Sequence, residues 1–393
     1  MTAVRIAMVH SGFAVRGGAE RYVRDLSRAL ADRGHEVRAY SRTPDGEHPE
    51  DRPVGERLSA RLTRLAPRLA KLFTHLGDLV DPTGLGPDDL RDFDPDVVHL
   101  HNWQGLGVRP VARLSRRWPT CHSVHDHAVR DPNNALGNLG RSAALDALLR
   151  LRSRWVLRQL GRCTLLFPSE RTRQRVLAGA PGARPATRLL PLAVPLPPGP
   201  RDWPPGDRRV FLYLGALDRH KGVDLLLDAW ADAVDAVGGT LLVGGDGPLR
   251  AEVERAAERS RSVRYLGYLD AEGKRAAFLR AGWLVFPSQC AETFGLVCAE
   301  ALTAARPIIA SDTARPPMAE DASVLVFRTR DELAELLRRA ARTPDDEYAA
   351  MSASAGADGA RLDWDRHVDA VVETYRTVGV RAGADQRPEV SRQ

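Results

Sequence analysis

Two glutamates eight residues apart, Glu292 and Glu300, interrupt an apolar stretch of the sequence. Glu292 lies just before a predicted helix, and Glu300 lies about one turn inside it, among leucine, valine, cysteine and alanine side chains. A carboxylate in such surroundings is costly unless it is paired or binds a ligand, and two vicinal hydroxyls of a ribose would bind it. Either residue alone is more simply explained as a salt-bridged or capping carboxylate. Together they predict a binding site.

The predicted helix begins near Phe294, so its first turn carries backbone amides that have no intrahelical acceptor. The amides of Phe294, Gly295 and Leu296 are therefore expected to point at an anion placed before the helix, and the helix dipole adds to the attraction. A diphosphate fits this position, as a ribose fits Glu300. The segment thus predicts a nucleotide pocket.

Lysine is rare in this chain and occurs only as Lys71, Lys221 and Lys274. Lys221 lies at a strand-to-helix turn and is followed by glycine, so it can act as a point charge for phosphate. The alternative is an ordinary solvated surface lysine. A second turn at the carboxyl edge of a predicted strand, Asp246-Gly-Pro, contains Gly247.

A glycine pair, Gly17 and Gly18, follows the first predicted strand and opens a predicted helix. Glycines there let the backbone approach an anion closely, although a merely tight turn would also explain them. The G-x-G-x-x-G spacing of dinucleotide-binding proteins is missing, which disfavours a dehydrogenase.

Apolar runs alternate with helical patterns along the chain, which predicts parallel sheets with helices on both faces. The alternation stops in a proline-rich linker at 191–208, so we expect two doubly wound, Rossmann-like α/β domains at 1–190 and 209–362. A helix at 363–380 is expected to cross back to the first domain, and 381–393 is expected to be disordered. Ligands of open α/β sheets bind beyond the carboxyl ends of the strands, here in a cleft between the domains.

Composition limits the partners. The net charge is +6 and the pI about 9.4, but nearly all the positive charge is arginine and no nucleic-acid-binding motif accompanies it, so nucleic acid is not expected as a partner. The four cysteines lack C-x-x-C spacing and are expected to be buried thiols rather than metal ligands. Without a long apolar run or a secretory signal, we expect a cytoplasmic protein.

With these features the chain resembles, over nearly its whole length, the retaining family-4 glycosyltransferases of the GT-B fold, in which two Rossmann-like domains face each other across a cleft. The motifs that carry the resemblance are Gly17-Gly18-Ala19-Glu20, Asp96-Val-Val-His-Leu-His101, His125-Asp126, Lys221-Gly222, Gly245-Asp-Gly-Pro248, Gly267-Tyr268 and above all Glu292-x7-Glu300.

The resemblance implies a role for each matching residue of the second domain. Glu300 binds the ribose, Lys221 neutralises the diphosphate, and Glu292 with the amides after it holds the donor sugar and phosphates. The Gly-Tyr turn places Leu269 near the nucleobase, and Gly247 belongs to the donor-binding turns.

In the first domain, the resemblance implies that Gly17 and Gly18 close on the donor phosphates and that His125 lines the reaction centre. The implied activity is transfer of a sugar from a nucleoside diphosphate sugar to an acceptor hydroxyl, with retention and without a metal or other cofactor. A polysaccharide, a lipid-linked molecule and a natural product all remain open as acceptors.

The chain departs from the family where an arginine usually follows the glycine of the first strand of the second domain, because this position is Ala216. The loop at 314–323 is also altered. Arg219 or Arg315 could restore the missing charge. These differences leave a non-catalytic regulatory partner of another glycosyltransferase as the alternative function.

One further segment, 57–76, repeats leucine every three or four residues, with four arginines and a lysine between the leucines. The pattern predicts an amphipathic basic helix, kinked at Pro67. The favoured interpretation is that the leucines pack on the domain and the arginines lie in water. The alternative is peripheral contact with an anionic membrane.

Overall fold

The computed structural model of the protein describes residues 3–13, 17–44, 48, 51–132, 142–195, 204 and 206–385. They form two compact units. Residues up to Pro191 and from Asp365 onwards belong to the first unit, and Leu192–Trp364 form the second. Each unit contains one parallel sheet, as the alternation of strands and helices predicts. The mixed α/β class with two Rossmann-like sheets is confirmed.

The first unit is built on seven strands, which are β1 Arg5–His10, β2 Glu36–Ser41, β3 Arg52–Pro53, β4 Val97–Leu100, β5 Thr120–Ser123, β6 Thr164–Phe167 and β7 Thr187–Leu189. Their order is β3-β2-β1-β4-β5-β6-β7, and every neighbouring pair is parallel. The direction of winding changes between β1 and β4, so the topological switch point lies at their carboxyl ends.

The helices of this part of the chain are α1 Gly18–Asp32, α2 Leu58–Leu65, α3 Ala70–Val80, α4 Val108–Arg117, α5 Ala143–Gln159 and α6 Glu170–Leu177. A short 3-10 turn, Pro67–Leu69, separates α2 from α3, so the segment forms two helices where a single helix kinked at the proline was predicted. The start of α2 lies beside the end of α3, since the Ser59 amide donates to Asp81 Oδ2 at 2.7 Å and Ser59 packs against Gly77. We call residues 57–80 the α2–α3 hairpin.

The six leucines of the 57–76 repeat are exposed rather than packed on the first unit, so the favoured sequence interpretation is wrong, although Leu79 near the end of α3 does pack on the core. Leu65 is 81% exposed, and the other leucines of the repeat are also exposed. Arg57, which was expected in water, is buried instead. Periodicity shows that apolar side chains share a helix face, but whether anything covers that face depends on tertiary packing.

The second unit contains β8 Asp207–Leu214, β9 Thr240–Gly244, β10 Val263–Gly267, β11 Ala281–Phe286, β12 Ile308–Ser311 and β13 Val324–Phe327. Their order is β10-β9-β8-β11-β12-β13, again wholly parallel, with the switch point between β8 and β11. All six residues of β11 are buried. The helices are α7 Val223–Val237, α8 Arg250–Arg259, α9 Ala271–Arg280, α10 Leu296–Thr303, α11 Arg330–Ala341 and α12 Asp345–Ala360.

Strand β8 and helices α12 and α13 differ from the sequence prediction. Strand β8 begins at Asp207, inside the expected linker, while 196–203 and 205 lie outside the described residues. Helix α12 was not predicted, because its alanine, serine and glycine residues show no clear apolar period. The last helix, α13 Trp364–Asp385, extends five residues into the segment that was expected to be disordered. Residues 386–393 lie outside the description.

From Asp365 onwards, α13 groups with the first unit. The Tyr22 hydroxyl lies 2.7 Å from His367 Nε2, and the Tyr375 hydroxyl lies 2.7 Å from His99 Nδ1. Both pairs are buried, so they help to hold α13 against α1 and the sheet. Within the described part of the chain, none of the helices is both long and apolar enough to cross a membrane.

Ala305 ends α10 in the left-handed conformation, with φ at 54°. Its amide donates to Leu302 O and the next amide to Ala301 O, the hydrogen-bond pattern in which glycine is usual. We expect Ala305→Gly to raise the free energy of unfolding by about 0.5–1 kcal/mol, because the steric cost of the side chain exceeds the entropy that glycine adds to the unfolded chain. Urea denaturation measures the difference.

The matched control is Ala304→Gly, one residue earlier, where φ is −84°. Ala304 is fully buried, so this change should lower stability. Equal destabilisation by both glycines would contradict the assignment of strain to Ala305.

Candidate functional site

Two predicted site residues meet at the switch point of the second sheet. Lys221 lies in the turn after β8, and Glu292 lies in the turn after β11, the neighbouring strand. Lys221 Nζ donates to Glu292 Oε1 at 2.7 Å, and Ser288 Oγ donates to the same oxygen at 2.7 Å. The fold thus joins two residues that are 71 positions apart.

The turns after β8 and β11 touch through their backbones. Gly222 has φ at 72°, and a Cβ atom there would lie 2.1 Å from Pro287 O. The Gln289 amide also donates to His220 O at 2.8 Å. Glycine after Lys221 is therefore required both by the left-handed backbone and by the close approach of the other turn.

The ion pair keeps Lys221 protonated. Burial lowers the pKa of Lys221, but the nearby Glu292 carboxylate more than offsets this and leaves the pKa above its ordinary value. An ammonium group has three donors and Glu292 accepts only one hydrogen bond from it. The charge and the remaining donors are available to a phosphate.

The second glutamate, Glu300, has its own lysine. Lys274, in the first turn of α9, donates to Glu300 Oε1 at 2.7 Å and to Oε2 at 3.0 Å. The Glu300 side chain is 8% exposed, so this cation compensates for the loss of water. The sequence analysis missed Lys274. The rarity of lysine was the available signal, but it was applied only to Lys221.

Helix α10 begins two residues later than predicted. Gly295 caps it with φ at 85°, a left-handed conformation that cannot continue an α-helix in the N-terminal direction. The first hydrogen bond of the turn runs from the Cys298 amide to Gly295 O, so Leu296 and Val297 are the first residues of the helix. The amides heading α10 are therefore those of Leu296 and Val297 rather than Phe294, whose side chain belongs to the buried core.

Two other predicted donor residues lie beyond β9 and β10. Gly247 packs its backbone against that of Leu217, and the Leu217 amide donates to Asp246 O at 2.9 Å. Leu269 follows β10, is partly buried and lies close to Gly244.

The position of the missing arginine and its two candidate substitutes differ in exposure. Ala216 is exposed, and its carbonyl accepts the Tyr213 hydroxyl at 2.7 Å. Arg219 is exposed in the short 3-10 helix that precedes α7. Arg315 pairs with the exposed Asp321. Both arginines are thus present near the ends of β8 and β12, and the Asp321 carboxylate partly offsets the charge of Arg315.

In the first unit, the predicted glycine pair lies at the switch point of the sheet. Gly17 caps α1 and Gly18 is its first residue, while residues 14–16 lie outside the described chain. The Glu20 carboxylate lies close to Gly17 and 3.9 Å from His10 Nε2. Burial raises the pKa of Glu20.

His125 belongs to a cluster of histidines at the ends of β4 and β5. His125 Nε2 lies 3.1 Å from His101 Nδ1, and the two rings are nearly parallel. His99 Nε2 lies 2.8 Å from Ser123 Oγ. Burial, together with the neighbouring histidines, lowers the pKa of His125 to about 3. It is therefore neutral at pH 7 and acts as a hydrogen-bonding group rather than as a cation.

A cavity of about 360 Å³ lies beside this cluster, beyond the carboxyl ends of β1, β2 and β4. Nine of its twelve lining residues carry polar or charged side chains. The lining residues are Ser11, Gly12, Glu20, Arg42, Thr43, Thr74, His75, Asp78, Asn102, Gln104, Gly105 and Pro132. Hydroxyl-bearing ligands suit such a surface.

All four cysteines are free thiols. Three are buried as expected, but Cys290 is partly exposed and its Sγ lies 3.3 Å from Ser288 Oγ. In the described residues, no group of three or more His, Cys, Asp or Glu side chains is placed to hold a metal ion.

The histidine cluster predicts acid sensitivity. Burial lowers the pKa of His122 to about 3, whereas an unfolded histidine titrates near about 6.5. Below pH 6.5 the unfolded chain binds protons that the folded chain does not, so the free energy of unfolding should fall by about 1.4 kcal/mol per pH unit for each such histidine. Urea unfolding between about pH 7.5 and 5 measures this slope.

His122→Leu should make the pH dependence shallower, because one titrating group is removed. An unchanged slope in His122→Leu would contradict the assignment.

The chain matches the family model "Glycosyltransferase Family 4" over residues 16–196 and the model "Glycosyl transferases group 1" over residues 208–343. It is 28% identical to the glycogen synthase of Mycobacterium tuberculosis over 351 residues, which cover 79% of this chain and 78% of that protein. The solved structure of sucrose-phosphate synthase from Thermosynechococcus elongatus has a TM-score of 0.68 and 20% identity, covering 95% of this chain and 98% of the other. That of Anabaena HepE in complex with UDP and glucose has a TM-score of 0.65 and 16% identity, covering 94% and 99%. This chain belongs to the family-4 glycosyltransferases and has the GT-B fold.

Proposed function

We propose that the protein transfers a sugar from a nucleoside diphosphate sugar to an acceptor hydroxyl, with retention at the anomeric carbon and without a metal ion. The observation that carries the proposal is the pair of lysine-bound glutamates, Lys221–Glu292 and Lys274–Glu300, at the carboxyl edge of the second sheet. One pair offers a cation beside helix amides, and the other offers a carboxylate to vicinal hydroxyls.

On this proposal, the nucleotide lies along the start of α10. Glu300 accepts hydrogen bonds from the ribose while Leu269 contacts the base, and the diphosphate lies between Lys221 and the amides of Leu296 and Val297. These cationic and dipolar groups stabilise the negative charge that develops on the leaving diphosphate, which is the task of Mg²⁺ in other transferases. HepE, which is similar in fold, binds UDP.

Glu292 holds Lys221 in place and accepts hydroxyls of the donor sugar. Neutral His125 lines the reaction centre and Gly17 and Gly18 contact the donor phosphates. No side chain is assigned as the base, since a leaving phosphate oxygen takes the proton of the acceptor. The acceptor itself, whether polysaccharide, lipid-linked or natural product, binds in the polar cavity of the first unit.

Nucleotide binding is tested by thermal shift with UDP, GDP, ADP and TDP in the presence of EDTA. At about 100 times its Kd, a ligand that binds only the folded state adds roughly 2.7 kcal/mol, so one nucleotide should raise the melting temperature by several degrees. Lys221→Gln keeps a donor for Glu292 but removes the charge, and we expect about a tenfold or greater loss of affinity.

The matched control is Arg259→Gln, which removes one positive charge from an exposed position on α8 and should leave the affinity unchanged.

Retention is tested with the sugar nucleotide that the protein accepts as donor. The sugar that slow hydrolysis releases should first appear, by proton NMR, in the same anomeric configuration as in the donor. Stabilisation by none of the nucleotides would contradict the enzyme proposal and favour the non-catalytic partner role.

A second prediction concerns the missing arginine. If Arg219 or Arg315 supplies charge to the diphosphate, Arg219→Ala or Arg315→Ala should weaken nucleotide binding about tenfold, the effect of one charge-assisted hydrogen bond. Ala216→Arg introduced into the weakened variant should recover part of the loss. Isothermal titration calorimetry measures the affinities. If both alanine variants keep their nucleotide affinity and turnover, neither Arg219 nor Arg315 replaces the arginine that is missing at position 216.

A further inference from the structure

The exposed apolar side chains of the protein concentrate on one segment. Of the twelve large apolar side chains that are exposed in the described residues, seven lie on the α2–α3 hairpin; these are Leu58, Leu62, Leu65, Leu69, Leu72, Leu76 and Val80. Scattered single leucines on a surface need no explanation, but a contiguous apolar surface marks an interaction site. The most exposed of them, Leu65, lies at the tip of the hairpin, next to the Pro67–Leu69 turn.

Buried polar contacts fix the orientation of the hairpin, so that its apolar surface faces solvent. Arg57 Nη1 donates to Asp78 Oδ1 at 2.6 Å and to Gly105 O at 3.1 Å. Both charged side chains are almost fully buried, at 4% and 3% exposure. The Ser59–Gly77 contact closes the hairpin on the same side. Polar interactions are therefore on the inside together with Leu79, while the six leucines of the repeat are on the outside, the reverse of an ordinary amphipathic helix on a domain.

The charge of the exposed surface is positive. Residues 57–76 include no acidic residue. Arg61 and Arg64 are exposed and share Glu56, while Arg68 and Lys71 are exposed beside the tip. Each of the four basic residues directly precedes a leucine in the sequence, so cations flank the apolar stripe along its length.

We propose that the α2–α3 hairpin docks on an anionic lipid surface. The leucines enter the boundary between headgroups and acyl chains, and the flanking arginines and lysine contact lipid phosphates with their charged ends, as long basic side chains do at membrane interfaces. The same charges disfavour a second copy of the hairpin as the occupant, because two such faces would bring like charges together.

Docking also places the cavity of the first unit near the membrane. Helix α3 lines that cavity with Thr74, His75 and Asp78 and carries Leu72 and Leu76 on its exposed face. A helix is about 10 Å across, so a docked α3 holds the cavity about one helix diameter from the headgroups. A membrane-anchored hydroxyl acceptor fits this arrangement. That last step rests on the proposed function, whereas membrane docking does not.

The test is co-sedimentation of the full chain with vesicles, without any nucleotide. We expect binding to phosphatidylcholine vesicles containing about one quarter phosphatidylglycerol at about 50 mM salt, with weaker binding at about 500 mM salt and on phosphatidylcholine alone. Leu65→Ser/Leu69→Ser and Arg68→Glu/Lys71→Glu should each reduce the bound fraction about tenfold or more. All four positions are exposed, so the melting temperature should stay unchanged.

The charge-matched control is Arg255→Glu/Arg259→Glu on exposed positions of α8, which should bind vesicles like the unaltered protein apart from a small effect of net charge. Lack of binding to anionic vesicles at low salt would overturn the proposal, and so would equal binding by the hairpin and control variants. If the protein does not bind vesicles but self-associates, and Leu65→Ser/Leu69→Ser abolishes the self-association, the surface binds a second copy of the chain instead. Nucleotide binding is measured on the same protein. If it is intact while vesicle binding is absent, the membrane proposal fails and the proposed transferase function does not.

Discussion

In the second unit, two carboxylates with little access to water are each held by a lysine, and the geometry of the site depends on these two ion pairs. Removing one partner of a buried pair leaves an uncompensated charge, which costs about 3–5 kcal/mol in buried cases. Glu300 has this character, since its side chain is 8% exposed. Each carboxylate oxygen has further lone pairs beyond those used by lysine. The pairs can therefore orient the glutamates before a ligand arrives without exhausting their capacity to bind it.

Sheet topology decides where these pairs form. Parallel strands end at one edge, and the winding of the second unit changes direction between β8 and β11, so the turns that follow them have no covering helix directly between them. The backbone contact between Gly222 and Pro287 brings the turns together, and the left-handed Gly295 ends the loop so that α10 begins beside Glu292. A cation, a carboxylate and the amino end of a helix thus share one small region.

The first unit buries several histidines, and it buries them in the neutral form. Low pKa values keep the rings neutral, so they serve as hydrogen-bonding groups between strand ends. His99 on β4 reaches α13 through Tyr375, and His367 on α13 reaches α1 through Tyr22. Close by, the Arg57–Asp78 pair joins the α2–α3 hairpin to Gly105 at the cavity. The cavity and the exposed leucines therefore lie on opposite sides of one ion-paired element.

The sequence by itself determined the features that depend on neighbouring residues. The alternating apolar runs predict two parallel-sheet units, the glycines predict turns at strand ends, Pro67 predicts an irregularity within 57–76, and the Glu292–Glu300 spacing predicts the pocket. Tertiary structure alone decided which side chains meet and which faces are covered. Lys274 meets Glu300 only because the fold brings the first turn of α9 to this glutamate on α10, and Arg57 is buried only because Asp78 faces it. Leucine periodicity defines one face of a helix, but burial of that face is a long-range property, and here the fold leaves it exposed.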